Sequence, residues 1–251
     1  MKARGGPTLY GHTIGIIVLD TRFPRVPGDI GNASTWPFPV RYRVVAQATP
    51  DRVVRQKAEG LLAPFIAAAH DLVNDGVRAI TTSCGFLSLY QHEIAAAVPV
   101  PVFTSSLLQM PLIARMLRPD QKVGVITIDS RYLTEAHLRA VGAESAPVVI
   151  AGLETEKELT RVLIDNEPEL DTQEAEAEMV HVARLLVAEH PEVGAIVLEC
   201  TNMPPYARAV QRATGLPVFD IVTLTRWVYQ AFVCPDYLST ANASFPYAAG
   251  V

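Results

Sequence analysis

At 251 residues, 49% of them apolar, the chain has material for one large core or two small ones, and its net charge of −5 without a basic cluster argues against a nucleic-acid partner. The apolar run from Ile14 to Leu19 is too short for a signal segment or a membrane span, so no membrane partner is expected. Three widely spaced cysteines form neither a disulfide framework nor a zinc pattern, which points to a reduced, cytoplasmic protein.

In chain order, strand and helix signals alternate. Ile14 to Leu19 reads as a first buried strand ending at Asp20. The stretch from Thr21 to Pro39 holds Pro24, Pro27, Gly28, Gly31, Pro37 and Pro39 and reads as a long loop. Loops of that length serve either as binding lids, with Arg22, Arg25, Asp29 and Asn32 as polar candidates here, or as stiff surface and subunit contacts. Tyr42 to Ala46 is a second strand, and Thr49 caps a helix that opens on Pro50. Helical spacing runs on to Val73, with a break or kink expected at Gly60 and Pro64 and an end at Asn74-Asp75-Gly76. A strand ending in Cys84 follows, then a helix from Leu87 to Ala97, a strand at Pro101 to Phe103 and a helix from Ser106 to Leu117.

Pro119-Asp120 separates this from a second series. There the expected elements are a strand at Val123 to Ile128, a helix at Arg131 to Val141, a strand at Val148 to Ala151 and a helix at Glu174 to Glu189. A strand ending in Cys200, a helix opened by Pro204 and Pro205, a strand at Val218-Phe219 and a helix from Thr225 to Val233 complete it. Pro235 to Val251 reads as a mobile loop.

The two series match each other. GVRAITTSCGF, Gly76 to Phe86, answers EVGAIVLECTN, Glu192 to Asn202, and IGIIVLD at Ile14 answers VGVITID at Val123. Pro101 follows Cys84 at the same interval as Pro217 follows Cys200. The expected fold is therefore α/β with two pseudo-symmetric lobes, each a parallel sheet flanked by helices. Residues 1–118 with 221–251 form the first lobe and 119–220 the second. Ligands in such sheets bind beyond the carboxyl ends of the strands, so the active site is expected in the cleft between lobes, with Cys84 and Cys200 on facing walls.

Two opposed thiols suit inversion of a carbon centre, which needs a base on one face and an acid on the other. The unperturbed thiol pKa of roughly 8.5 falls at a helix amino terminus, and each cysteine here precedes an expected helix. Gly85 allows close backbone approach, and Thr201 and Asn202 add donors. Asp20 and Asp129 end matched strands, either as groups that orient a substrate ammonium or a catalytic thiol or as turn carboxylates. Ser83, Thr127, Ser105 and Ser106 are candidate pocket hydroxyls, and strand alternation turns Glu199 away from Cys200. Cys234 has no counterpart in the repeat and reads as a small core residue. His12, His70, His92, His137, His181 and His190 show no metal-ligand spacing, so surface or helix-face roles are expected. Neither a G-x-G-x-x-G after the first strand nor a phosphate-binding loop occurs, no lysine stands out as a pyridoxal phosphate anchor, and no cofactor is expected.

TTSCGF at Thr81 to Phe86 and LECTNMP at Leu198 to Pro204, set in duplicated α/β halves, resemble the paired cysteine motifs of the aspartate/glutamate racemase superfamily. That group includes hydantoin racemases, arylmalonate decarboxylases and maleate isomerases, and the resemblance runs from about Ile14 to Val233. It implies a cleft between two lobes, work without pyridoxal phosphate, Cys84 and Cys200 as the acid/base pair and Thr201 as a holder of the substrate carboxylate. Two departures stand out. Gly85 and Phe86 replace the asparagine and threonine that follow the first cysteine in the amino-acid racemases, and Glu199 replaces the glycine usual before the second. Phe86 thus favours a less polar or ring substrate, such as a hydantoin.

The resulting expectation is a racemase or epimerase acting next to the carboxylate or carbonyl of a small amino-acid-like substrate, in a chain that admits a homo-oligomer. The alternatives are a decarboxylase or cis-trans isomerase that uses one cysteine, and a two-lobed small-molecule binder without catalysis.

Overall fold

All six residues of β1, Ile14–Leu19, are buried, as expected for a run of apolar, mostly β-branched residues in the middle of a parallel sheet. The computed structural model describes residue 6 and residues 8–234, so the loop expected at Pro235 to Val251 lies outside the described residues. β1 pairs in parallel with β2 (Val40–Val45) on one side and β3 (Ala79–Thr82) on the other, and β3 pairs with β4 (Val102–Phe103). The second sheet repeats this plan. β5 (Lys122–Thr127) lies between β6 (Val148–Gly152) and β7 (Val193–Leu198), and β7 pairs with β8 (Val218–Phe219). The strand orders, β2-β1-β3-β4 and β6-β5-β7-β8, are the same order written twice. The chain is thus an α/β protein of two parallel sheets flanked by helices.

The helices are α1 (Pro50–Val54), α2 (Leu62–Asn74), α3 (Gln91–Ala97), α4 (Met110–Met116), α5 (Glu135–Ala140), α6 (Glu158–Ile164), α7 (Thr172–Glu189), α8 (Ala207–Thr214) and α9 (Ile221–Phe232). Alternation along β1 divides its side chains between two apolar clusters. Ile17 and Leu19 join the larger cluster, which runs through Phe65 and Leu72 of α2 and on into Val123 and Val125 of the second sheet. Ile14, Ile16 and Val18 face Ile30, Trp36 and Phe38 of the long loop and Ile221, Val222 and Leu224 of α9. The last helix therefore returns to the first sheet.

Local chemistry explains where the elements differ from the sequence reading. The break before α2 falls at residues 55–61, where Lys57, Ala58 and Gly60 all take positive φ, while Pro64 sits in the first turn of α2, where a missing N–H costs nothing. The helix expected from Arg131 begins only at Glu135, because Thr134 and His137 form a reciprocal cap there. α9 starts ahead of Thr225, since the Asp220 carboxylate accepts the Thr223 N–H at 2.7 Å. α6 had no counterpart in the sequence reading. After Cys84 the chain first makes a 3-10 turn, Gly85–Tyr90, before α3. Among the described residues no helix is long and apolar enough to cross a membrane.

Candidate active site

β3 stops at Thr82 and β7 at Leu198, so each cysteine sits just past a strand end, where the backbone turns. Cys84 and Cys200, one from each lobe, line a single narrow cavity of about 30 Å³, room for about one water molecule, so a substrate has to part its walls to enter. Its walls are mostly apolar, with Leu19, Phe23, Val54, Phe86, Ile128 and Leu163 among them. Phe86 is held edge-on to the buried His137 ring, with centroids 5.3 Å apart. Burial pushes His137 down to about 4, so it stands neutral behind the wall.

The cysteines do not have lowered thiol pKa values. Burial, with the Glu199 charge adding to it, pushes Cys84 up to about 12, although backbone N–H groups of Phe86 and Leu87 pull the other way. Burial and then Glu199 likewise raise Cys200 well above the usual thiol range, against the Asn202 N–H. The turns after the cysteines do supply the expected N–H groups. Desolvation in an apolar cavity outweighs them, which corrects the expectation of a thiol activated by a helix start.

Glu199 also corrects the sequence reading. Alternation holds only within a strand, and β7 ends one residue earlier, so Glu199 lines the same cavity as Cys200. It is fully buried. Its Oε2 accepts the Thr127 hydroxyl at 2.7 Å, and its Oε1 has no partner. Burial raises this carboxyl to about 7, with the Thr127 hydrogen bond opposing the shift. Gly85 is the residue pressed against it, because a Cβ there would collide with both Glu199 Oε1 and the Glu199 carbonyl. Sequence reasoning missed this group. The visible signal was a glutamate between an all-apolar strand and a cysteine.

The other candidates divide into those at the cavity and those elsewhere. Ser83, Gly85, Phe86 and Asn202 line it. Ser83 Oγ accepts the Leu19 N–H at 3.0 Å. The Thr201 hydroxyl donates to the Ser83 carbonyl at 2.6 Å and the Ser106 hydroxyl to the Leu198 carbonyl at 2.7 Å, so both bind lobe to lobe. Ser105 caps the turn that follows it. Asp20 is exposed and accepts the Gln47 N–H at 3.0 Å, and Asp129 is paired with Arg131 at 2.6 Å. Asn32 caps the 3-10 turn Ala33–Thr35 in the long loop and donates to the Arg25 carbonyl at 2.7 Å. Cys234 is exposed, which corrects the core assignment.

That loop is bound to the second cysteine. The Cys200 thiol donates to Asn202 Oδ1 at 3.5 Å, Asn202 Nδ2 donates to Asp29 Oδ2, and Asp29 Oδ1 pairs with Arg25 at 2.8 Å. The Ile30 N–H meets the Thr201 carbonyl at 3.4 Å, and Gly28, at φ 103, lies flat against Pro205, where a Cβ would come within 2.9 Å of the backbone. Among the described residues no cluster of three or more histidine, cysteine, aspartate or glutamate side chains is placed to hold a metal.

The Asp/Glu/Hydantoin racemase family profile matches residues 106–228. A dimethylsulfoniopropionate lyase of Durusdinium sp. clade D is 30% identical over 234 residues, covering 90% of this chain and 77% of that protein. Dimethylsulfoniopropionate lyase 3 of Emiliania huxleyi is 31% identical over 229 residues, covering 84% of this chain and 57% of the relative, so the chain spans little more than half of that protein. The crystal structure of arylmalonate decarboxylase superposes with a TM-score of 0.60 at 15% identity, covering 89% of this chain and 93% of that one, a likeness of fold.

Proposed function

This chain belongs to the Asp/Glu/hydantoin racemase superfamily of cofactor-independent racemases and decarboxylases, and within it we propose a lyase that eliminates a sulfide from a short sulfonium carboxylate of the dimethylsulfoniopropionate type. The observation that carries the proposal is the composition of the cavity. It offers two thiols in mainly apolar walls with one free carboxylate oxygen, Glu199 Oε1, too few acceptors for three ammonium hydrogens, while Asp20 is committed to Gln47, Asp29 to Arg25 and Asn202, and Asp129 to Arg131. An amino acid needs acceptors for its ammonium hydrogens. A dialkylsulfonium has no N–H to satisfy, and its methyl groups suit apolar walls.

In this reaction a cysteine thiolate takes a proton from the carbon next to the carboxylate. The electron pair of that C–H bond forms the double bond, and the C–S bond breaks towards sulfur. Dimethyl sulfide and acrylate leave, and the cysteine carries the proton. The leaving group departs neutral and needs no acid, so one base suffices. We assign that base to Cys200, which is the more open of the two and is oriented through Asn202 and Asp29. Backbone N–H groups beside each sulfur, joined by the positive charge of a bound sulfonium, act against the burial that raises both thiols.

The test is release of dimethyl sulfide into the headspace from dimethylsulfoniopropionate. Wild type is expected to release it, with Cys200→Ser slower by about 10²–10⁴-fold and Cys84→Ser affected less. No release from folded wild-type protein contradicts the proposal. A second reading, racemisation or epimerisation, is favoured by one observation, that the lobes each bring a cysteine to the same cavity. It requires equal, near-complete loss of activity in both variants.

A further inference from the structure

We propose that Glu199 is the proton store of the site: a single negative charge moves between its carboxylate and a cysteine thiolate, so that Glu199 takes the proton a cysteine gives up on becoming a base. Three features of the geometry support this. Glu199 is fully buried and lines the cavity with both cysteines. Only one of its oxygens is used, by the Thr127 hydroxyl, and the other stands without a partner. The absence of a side chain at Gly85 leaves that free oxygen its space. A carboxyl whose only role was structural would have both oxygens satisfied at this depth.

The charged surroundings limit the cluster to one charge. The turn after β3 contributes Cys84, and the turn after β7 contributes Cys200. The long loop contributes Asp29 and Arg25, which pair with each other at 2.8 Å. β5 and the segment before α4 contribute only the neutral hydroxyls of Thr127 and Ser106. No lysine or free arginine compensates a second anion beside Glu199 among these elements. With Glu199 ionised, both thiols keep their protons, and the raised thiol values express burial first and that repulsion second. A carboxyl near 7 is suited to accept and release a proton at neutral pH.

The step balances. The S–H bond of a cysteine breaks with its electron pair left on sulfur, an O–H bond forms at Glu199, and the net charge of the cluster is unchanged. After the thiolate has taken the substrate proton, Glu199 loses its own to solvent, which resets the site. The role rests on the proton-abstraction reading for what consumes the thiolate, but its test reads the thiols directly.

The experiment is the rate of iodoacetamide alkylation of Cys84 and Cys200, resolved by peptide mass spectrometry from about pH 5 to about pH 10. In wild type an inflection near 7 followed by a plateau is expected, because above that pH the carboxylate–thiol pair exchanges its proton internally. In Glu199→Gln the inflection disappears and the rate climbs about tenfold per pH unit through the neutral range. Glu199→Asp, which keeps a carboxyl, restores an inflection at a shifted pH. A wild-type profile without the neutral inflection, or a folded Glu199→Gln protein that retains it, overturns the proposal. If dimethyl sulfide is not released but the inflection follows Glu199, the lyase reading fails alone. If release is seen and the inflection is absent, the proton store fails alone.

Discussion

Gly85 and Glu199 share one space across the lobe boundary, and each is explained by the other. A methyl group at Gly85 displaces a buried carboxyl and meets backbone that does not yield. Gly85→Ala is therefore expected to lower unfolding free energy by about 1–3 kcal/mol, the usual range for overpacking, and to reduce activity with it. Denaturant melts of the two proteins check this, and equal stability contradicts it. The shared place of the cysteines was legible because they follow matched strands of a repeat, at the strand ends where such sheets bind ligands. Glu199 was misread because alternation was carried one residue past the end of β7. Asp20, Asn32 and Asp129 were read from their places in the repeat and the loop. The contacts of Asn32 with Ser34 and of Asp129 with Arg131 are local turn contacts of a kind those residue types readily make, whereas Asp20 ties the end of β1 to the Gln47 N–H beyond β2.

At the scale of elements, the loop from Thr21 to Pro39 decides how Cys200 is held. Its prolines and glycines marked it as a loop, and its length left it either a binding lid or a stiff surface contact. Its partner, the turn after β7, depends on how two lobes meet and has no trace in local sequence. Asp29 joins Arg25 on its own loop to Asn202 on the other lobe, at a side-chain exposure of 3%. Asp29→Ala leaves buried donors without an acceptor, at a cost of about 1–3 kcal/mol. The expected outcome is faster hydrogen exchange at the Ile30 amide, whose acceptor is the Thr201 carbonyl, and slower turnover through a less ordered Cys200. Unchanged exchange at Ile30 means that the loop is held by its apolar contacts, Ile30, Trp36 and Phe38, and that Asp29 serves chemistry only. α6, a helix of one lobe that contacts α1 of the other, escaped the sequence reading because seven residues carry too little periodicity to register.

For the whole molecule, duplication is the fact from which the rest follows. Two sheets of the same strand order bring two strand ends to one cavity, and the repeated motifs made that plan readable before any coordinates. The same burial that shapes the site also sets a pH dependence of stability. Glu199 is raised from 4.5 to about 7 by folding, so between those values the folded protein holds a proton that the unfolded chain releases. Its stabilising contribution is therefore full below about 4.5 and is lost as pH rises through about 7. Wild type is expected to lose up to about 3 kcal/mol relative to Glu199→Gln between these limits, and the variant to melt higher than wild type at pH 8. Parallel pH profiles of the two proteins contradict the raised carboxyl.

The central claim is that Cys200 abstracts a proton and elimination follows, and proton NMR in D₂O tests it most directly. With dimethylsulfoniopropionate the account predicts growing vinyl signals of acrylate and the methyl signal of dimethyl sulfide in equal molar amounts, both suppressed in Cys200→Ser. The contradictory result is an unchanged sulfonium spectrum, with deuterium washing into the α-position of a chiral amino acid or hydantoin as its optical activity disappears, equally dependent on Cys84 and Cys200.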